Sequence, residues 1–229
     1  DSGYEDNTII IFTSDHGDMI GERGMWFKKT LFDPAIKVPL IIAHPDHNSG
    51  RVSNPTSLVD IFPTILDFAH IKTEQIQTQL DGNSLVPSLN GEKTSWPVFA
   101  EHIDGGTSAP RVMVRDGNKK LVFSLGYPPQ LYDLSLDPNE LVNLSGKGDI
   151  DEERLTKLAK ETWPLDTLLG DVIRSQTERK LIDTALSKGR EELWEFTPRP
   201  LNETTNYVRR GDAFPTVERR GYLPYKSKQ

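Results

Sequence analysis

The sequence has no cysteine among its 229 residues, which excludes disulfide bonds and any cysteine-ligated metal site. It lacks an apolar run long enough to span a membrane, because its hydrophobic residues, 35% of the total, are broken up by charged ones. It also lacks a basic excess, since its formal net charge is −7. We therefore expect a globular protein of a reducing compartment, the cytoplasm, with neither a nucleic-acid nor a membrane partner.

The clearest signal lies between residues 8 and 40. Residues 8–12, TIIIF, form a short β-branched apolar run, typical of a strand that is buried on both faces of an α/β sheet. Asp15 and His16 follow directly, at the position where ligands bind beyond the carboxyl ends of such strands. An acid and an imidazole together are able to supply half of the shell of a divalent metal ion.

Lys28 comes thirteen residues after Asp15 and is a cation suited to an anionic substrate. Each feature alone has a plainer interpretation. An Asp-His pair at a strand end is more often a capped turn, and a lone lysine is usually a solvated surface residue. A second pair, His44 and His47, lies in a polar segment, which indicates a surface loop rather than a metal site.

The combined pattern is more specific than its parts. It consists of SDHGD at residues 14–18, GERGMWFK at 21–28 and VPLII at 38–42. This pattern resembles the C-terminal half of the sulfatase family, whose members belong to the alkaline-phosphatase-like superfamily of α/β hydrolases of phosphate and sulfate esters. The later motifs LYDL at 131–134 and DPNE at 137–140 are similar to a recurrent ending in the same family.

The fold class implied by the resemblance is α/β, with three parts. Residues 1–78 would be the end of the sulfatase catalytic domain, and residues 79–148 a small antiparallel β subdomain. Residues 149–229 would form a helical extension with an aromatic, proline-rich tail. Within this scheme, apolar spacing predicts a helix from residue 58 to 69, and Asp-Gly-Asn at 116–118 predicts a hairpin turn.

The end of the chain narrows the resemblance. DVIRSQ at 171–176 and WEFTP at 194–198 resemble the C-terminal extension of choline sulfatases, which ordinary arylsulfatases lack. EHIDGG at 101–106 resembles the E-Y-x-A-E-G pattern of that group, with the second acid replaced by Gly105. The implied activity is hydrolysis of choline sulfate to choline and sulfate. The alternatives are a phosphonate or phosphate monoester hydrolase, an arylsulfatase, or a non-catalytic assembly fragment.

The resemblance also implies site roles. Asp15 and His16 would bind one divalent metal ion, with calcium expected and manganese or magnesium as alternatives. Lys28 and His16 would be catalytic. Substrate binding would involve Lys28, Glu101, His102 and Asp104.

One family feature is missing. Sulfatases carry a C/S-x-P-S-R motif whose Cys or Ser is converted to formylglycine, and this sequence has no such motif. We therefore expect a missing N-terminal half to supply the nucleophile, and residues 1–229 alone to be inactive. The C-terminal extension is expected to hold a homo-oligomer together.

Overall fold

The computed structural model describes residues 3–47, 49–103, 109–186 and 188. Asp104, Gly105 and the tail from residue 191 onward, all of which entered the sequence predictions, lie outside the described residues. The described strands are β1 (Ile10–Thr13), β2 (Met19–Ile20), β3 (Trp26–Phe27), β4 (Leu40–Ala43), β5 (Val98–His102), β6 (Arg111–Asp116), β7 (Lys119–Ser124) and β8 (Gln130–Asp133). The described α-helices are α1 (Asp33–Ile36), α2 (Ile61–Phe68), α3 (Val86–Leu89), α4 (Asp151–Thr162) and α5 (Leu165–Leu186). Short 3₁₀ turns occupy Glu5–Asn7, Glu22–Gly24, Leu58–Asp60 and Thr73–Gln75.

The predicted first strand exists, but its expected burial is wrong. β1 begins at Ile10 rather than Thr8 and pairs antiparallel with β4 in a two-stranded sheet. Ile10 and Phe12 are 60% and 58% exposed, and Ile41 opposite Phe12 is 59% exposed. Side chains of a strand alternate between its faces, so one face of this ribbon is open in the described part of the chain. An apolar run signals a strand, but not how many of its faces are covered.

The region of the predicted antiparallel subdomain contains a four-stranded meander in the order β5-β6-β7-β8, all antiparallel. The predicted turn between β6 and β7 is confirmed, with Gly117 at a φ of +57° that favours glycine. Val112, Val114, Leu121 and Leu131 are completely buried in this sheet.

Helix α4 covers one face of the four-stranded sheet and packs on β6 and β7. Its buried residues are Leu155 and Ala159, one helical turn apart. Lys160 of α4 lies over the ring of Phe123, and Lys119 pairs with Asp149 just before the helix. Odd-numbered residues of β7 therefore face α4, and even-numbered ones face the opposite side.

The helix predicted for residues 58–69 is confirmed as a 3₁₀ turn followed by α2, with Pro63 in the first turn of the helix. Asp60 precedes α2, but its side chain does not cap that helix. Its Oδ2 instead accepts a hydrogen bond from the N–H of Ser57 at 2.8 Å, and its Oδ1 accepts one from Asn83 at 2.9 Å. Asp60 thus joins the start of this helix to the loop before α3.

Within the predicted helical extension lies α5, which belongs beyond Leu165 to a second compact unit. Its apolar residues Ile182 and Leu186 are 56% and 71% exposed. None of the helices in the described ranges is long and apolar enough to cross a membrane.

Candidate functional site

The turn after β1 is closely packed against α1. The N–H of Gly17 donates a hydrogen bond to Ala35 O at 2.8 Å. A Cβ atom at position 17 would collide with the carbonyl oxygen of Pro34, so only glycine fits this approach. The turn that carries Asp15 and His16 is therefore fixed by the backbone of α1.

Asp15 is an exposed carboxylate held by its own turn. The N–H of His16 donates to its Oδ1 at 3.0 Å, and the Ser14 hydroxyl donates to the same oxygen at 3.3 Å. The backbone hydrogen bond from His16 is the largest cause that lowers the pKa of Asp15 below its ordinary value of 3.8. Asp15 is thus ionised at neutral pH, as a metal ligand must be.

The hydrogen bonds of His16 define its tautomer. Nδ1 lies 2.8 Å from Gly17 O, which only accepts, so Nδ1 carries the proton. Nε2 lies 2.8 Å from Lys28 Nζ, and an ammonium only donates, so Nε2 holds the free lone pair. The structure therefore brings together Asp15, His16 and Lys28, the residues to which the resemblance assigns the metal and the sulfate.

Lys28 reaches His16 from a short hairpin. Strands β2 and β3 pair antiparallel, and Lys28 follows β3 directly. Phe27, just before it, has a left-handed φ of +69°, which non-glycine residues adopt rarely. The N–H of Thr30 donates to Lys28 O at 2.7 Å and closes the loop behind it.

Asp15 and His16 fit two positions of a metal shell. Asp15 Oδ2 and His16 Nε2 lie 3.5 Å apart, close to the ~3.4 Å between neighbouring ligands with bonds of about 2.4 Å at a right angle. The Nδ1–H bond to a backbone carbonyl is the usual outer contact of a metal-binding histidine. The described residues contain no group of three or more His, Asp or Glu side chains that could hold a metal, so this pair is a partial donor set.

The predicted substrate residues of β5 leave the sheet on opposite faces, because Glu101 and His102 are adjacent in one strand. Glu101 Oε2 accepts a hydrogen bond from Trp163 Nε1 at 2.6 Å. The Trp163 ring also packs edge-on against Phe99, with 5.7 Å between centroids. His102 is half-buried. The roles of Glu101 and His102 stay predictions, and Asp104 lies outside the described residues.

The sequence analysis missed a buried charge cluster, which we call the Lys120 cluster: Lys120, Asp33, Glu140 and Arg115. Lys120 Nζ lies 2.6 Å from Asp33 Oδ1 and 2.7 Å from Glu140 Oε1. Arg115 lies 4.0 Å from the other oxygen of Asp33. Lys120 and Asp33 are 87 positions apart, so no local pattern links them. The DPNE motif was the available signal, because Glu140 is its last residue.

Comparison with known proteins identifies the family. The sulfatase family model matches residues 1–71. A choline-sulfatase from Rhizobium meliloti (strain 1021) is 39% identical over 198 residues, which cover 84% of this chain and 39% of that protein. The chain belongs to the sulfatase family.

Other members of this group of enzymes are also similar to it. An arylsulfatase K from Danio rerio is 36% identical over 159 residues, which cover 64% of this chain and 29% of that protein. Among solved structures, a phosphonate monoester hydrolase from Silicibacter pomeroyi is similar with a TM-score of 0.56 and 33% identity, over 69% of this chain and 34% of the other. This sulfatase-family chain thus spans less than half of the relatives it matches. Its mixed α/β fold, expected from the sequence, is confirmed at that level.

Proposed function

We propose that residues 1–229 are the C-terminal part of a metal-dependent sulfatase that hydrolyses choline sulfate to choline and sulfate. The observation that carries this proposal is the convergence of a carboxylate, an imidazole lone pair and an ammonium at the end of β1. Asp15 Oδ2 lies 3.5 Å from His16 Nε2, and His16 Nε2 lies 2.8 Å from Lys28 Nζ. The similarity to a choline-sulfatase supports the choice of substrate.

In this proposal Asp15 Oδ2 and His16 Nε2 hold the divalent metal, for which calcium is our first choice. The bound metal would act as a Lewis acid and lower the pKa of the nucleophile, a formylglycine supplied by the N-terminal half. His16 has a single free lone pair, so Nε2 can bind the metal or accept from Lys28, but not both. With His16 holding the metal, the Lys28 ammonium would be available to neutralise negative charge on the sulfate group.

A binding place for the trimethylammonium group is proposed at Glu101. A quaternary ammonium has no N–H to donate, so it is recognised by aromatic faces and by a carboxylate. Glu101 supplies the charge, and Trp163 and Phe99 supply aromatic surface beside it. Trp163 joins the predicted site only through the fold, since it is 62 positions away from Glu101.

A phosphonate monoester hydrolase is the second candidate, because a solved enzyme of that kind shares the fold at 33% identity. The discriminating experiment compares kcat/KM for choline sulfate, an aryl sulfate and an aryl phosphonate with the full-length enzyme containing residues 1–229. We expect choline sulfate to be preferred by at least about a hundredfold, as a site built for a particular charge discriminates strongly. Preference for the phosphonate would replace the proposed substrate class.

The full-length enzyme with Glu101→Gln sharpens this test. The variant keeps the shape of the side chain and a hydrogen-bond acceptor for Trp163, but removes the charge. We expect kcat/KM to fall for choline sulfate and to stay within about twofold for the aryl sulfate, which has no cation to place. Equal losses of kcat/KM for both substrates would show that Glu101 does not bind the ammonium group.

The third candidate is a non-catalytic assembly fragment, in which the turn after β1 binds nothing. Adding Ca²⁺ or Mn²⁺ to the full-length enzyme and following the ring nitrogens of His16 by NMR tests it without any activity measurement. We expect the Nε2 signal to respond in the wild type and not in Asp15→Asn. No response in the wild type would favour the assembly fragment.

The remaining parts of the proposal concern the whole enzyme. Residues 1–229 alone are expected to be inactive, the location cytoplasmic, and a homo-oligomer to depend on the C-terminal extension. Deleting residues 191–229 should then weaken the oligomer in light scattering and raise KM for choline sulfate more than for the aryl sulfate. An intact oligomer with unchanged KM values would make the tail dispensable.

A further inference from the structure

The Lys120 cluster is unusually buried for charged side chains. Lys120 is completely buried and Glu140 is 1% exposed, while the Asp33 side chain is 14% exposed. Two carboxylates within 2.7 Å of one ammonium, with Arg115 nearby, leave the group close to electrically neutral. A buried ion pair adds little stability compared with apolar residues of the same size, so its presence calls for another explanation.

The cluster fixes the start of α1. Asp33 is the first residue of that helix, and its side chain pairs with Lys120 of β7. Its backbone N–H donates to Glu140 Oε2 at 2.7 Å. Glu140 itself has a left-handed φ of +57°, a conformation that only its surroundings can maintain. Both the backbone and the side chain of Asp33 are thus tied to the four-stranded sheet.

Three hydrogen bonds then run from α1 to the candidate site. Ala35 O accepts from Gly17 N, Gly17 O accepts from His16 Nδ1, and His16 Nε2 accepts from Lys28 Nζ, each at 2.8 Å. The hairpin that carries Lys28 has its own ties to the sheet region. Arg23 lies over the ring of Phe32 and donates to Asn139 O at 3.3 Å.

We propose that Lys120, with Asp33 and Glu140, is a positioning residue that holds α1 and, through Gly17, the turn that carries Asp15 and His16. It touches no substrate and acts through the backbone of α1. The proposal rests on the function proposed above for the Asp15–His16–Lys28 group. It assigns a functional role to the DPNE motif and to a lysine in a strand whose sequence gives no hint of one.

The test substitutes Lys120→Met in the full-length enzyme and compares it with Lys119→Met. Lys119 is the neighbouring residue, but it faces α4 and pairs with Asp149 and Asp133 rather than with α1. Lys120→Met leaves two buried carboxylates to repel each other at the start of α1. We expect kcat per folded molecule to fall by about tenfold or more with KM within about twofold, since a misplaced catalytic group lowers the rate rather than ground-state binding. Lys119→Met should leave both constants unchanged.

Two further variants guard against simple unfolding. Glu140→Gln removes one charge but keeps an acceptor for the N–H of Asp33, and is expected to lower kcat by a few-fold. Lys120→Met combined with Glu140→Gln leaves Asp33 opposite Arg115 without the second carboxylate. The double variant should recover part of the kcat lost in Lys120→Met. The positioning role would be overturned if Lys120→Met only lost stability, the double variant restored it, and kcat per folded molecule were the same in every variant.

A second readout does not depend on activity. In residues 1–229, the ring nitrogens of His16 should show the Nδ1–H tautomer in the wild type and in Lys119→Met. In Lys120→Met the signals should shift or broaden as the tie to Ala35 loosens. Unchanged His16 signals in a folded Lys120→Met chain would contradict the proposal. Failure of the wild-type enzyme to hydrolyse any sulfate ester would instead refute the proposed function while these signals still tested the positioning role.

Discussion

The two sheets with apolar strand sequences differ sharply in how they are packed. The β1–β4 ribbon leaves Ile10, Phe12 and Ile41 more than half exposed, whereas the central strands of the four-stranded sheet hide Val114 and Leu121 completely. Helix α4 covers one face of the larger sheet, and the Lys120 cluster lies on its other face. Similar sequences thus give strands of very different burial, because burial is decided by what packs on them.

This difference bears on function. The three chemical groups of the candidate site lie at the end of the weakly packed ribbon and on the β2–β3 hairpin. Their geometry is maintained by a short helix that is tied to the well-packed sheet. A reactive group needs a rigid support more than a rigid strand of its own, and here the support comes from a distant part of the sequence.

The largest effect should separate the two sheets directly. Leu121→Ala removes a completely buried side chain and is expected to lower the free energy of unfolding by about 2–5 kcal/mol. Phe12→Ala removes a larger side chain that is 58% exposed, and is expected to change the free energy of unfolding by less than about 1 kcal/mol. Urea unfolding of residues 1–229 measures both. Equal losses would show that the ribbon is as well packed as the meander.

The next effect concerns the chemistry alone. Lys28→Ala in the full-length enzyme is expected to lower kcat about a hundredfold or more, since one donor aimed at developing charge is lost. The melting temperature should hardly change, because Lys28 is exposed and its contact with His16 is a single hydrogen bond. Lys29→Ala, next in the sequence, is the matched control and should keep wild-type turnover. Wild-type turnover in Lys28→Ala would exclude this lysine from the site.

These contrasts show what the sequence could and could not predict. Local signals predict the β6–β7 turn at Gly117 and the helix that includes Pro63. The grouping of Asp15, His16 and Lys28 was implied by the family resemblance of their motif. In each of these cases the residues that form the structure lie close together in the sequence. Burial was not predictable for β1, because the number of neighbours of a strand is a property of the whole fold.

Long-range pairing was the other limit. Asp33 and Glu140 are 107 positions apart, and Trp163 meets Glu101 across 62. A lysine at the start of a strand is ordinarily solvated, so the sequence gives no reason to expect Lys120 to be buried. Only its burial by partners from elsewhere in the chain gives it a different role.

A smaller effect tests the close approach of the turn to α1. Gly17→Ala places a methyl group against Pro34 O and should lower the free energy of unfolding by about 1–3 kcal/mol, as overpacking usually does. The same shift should lower kcat, because Gly17 lies between α1 and His16. Gly50→Ala is the control, since nothing lies near a Cβ atom there. Comparable stability and turnover for the two variants would mean that the turn does not depend on α1.

The smallest effect concerns the half-buried ion pair between Lys119 and Asp149, on the α4 face of the larger sheet. The hydrogen bond from Lys119 is the main cause that lowers the pKa of Asp149 below 3.8, and the same bond raises the pKa of Lys119 above 10.5. A lowered carboxylate pKa stabilises the fold fully above the unfolded value and loses this contribution as the pH falls through the folded value. A raised lysine pKa stabilises the fold fully below the unfolded value of 10.5, and this contribution is lost as the pH rises through the folded value.

Between these limits the difference in the free energy of unfolding between wild type and Lys119→Met should be constant. It should shrink in acid, as the pH falls below 3.8 and Asp149 takes up its proton. Urea unfolding at neutral and acid pH measures the difference, and the same difference at both would show that Lys119 stabilises the sheet through packing of its aliphatic stem rather than through its charge.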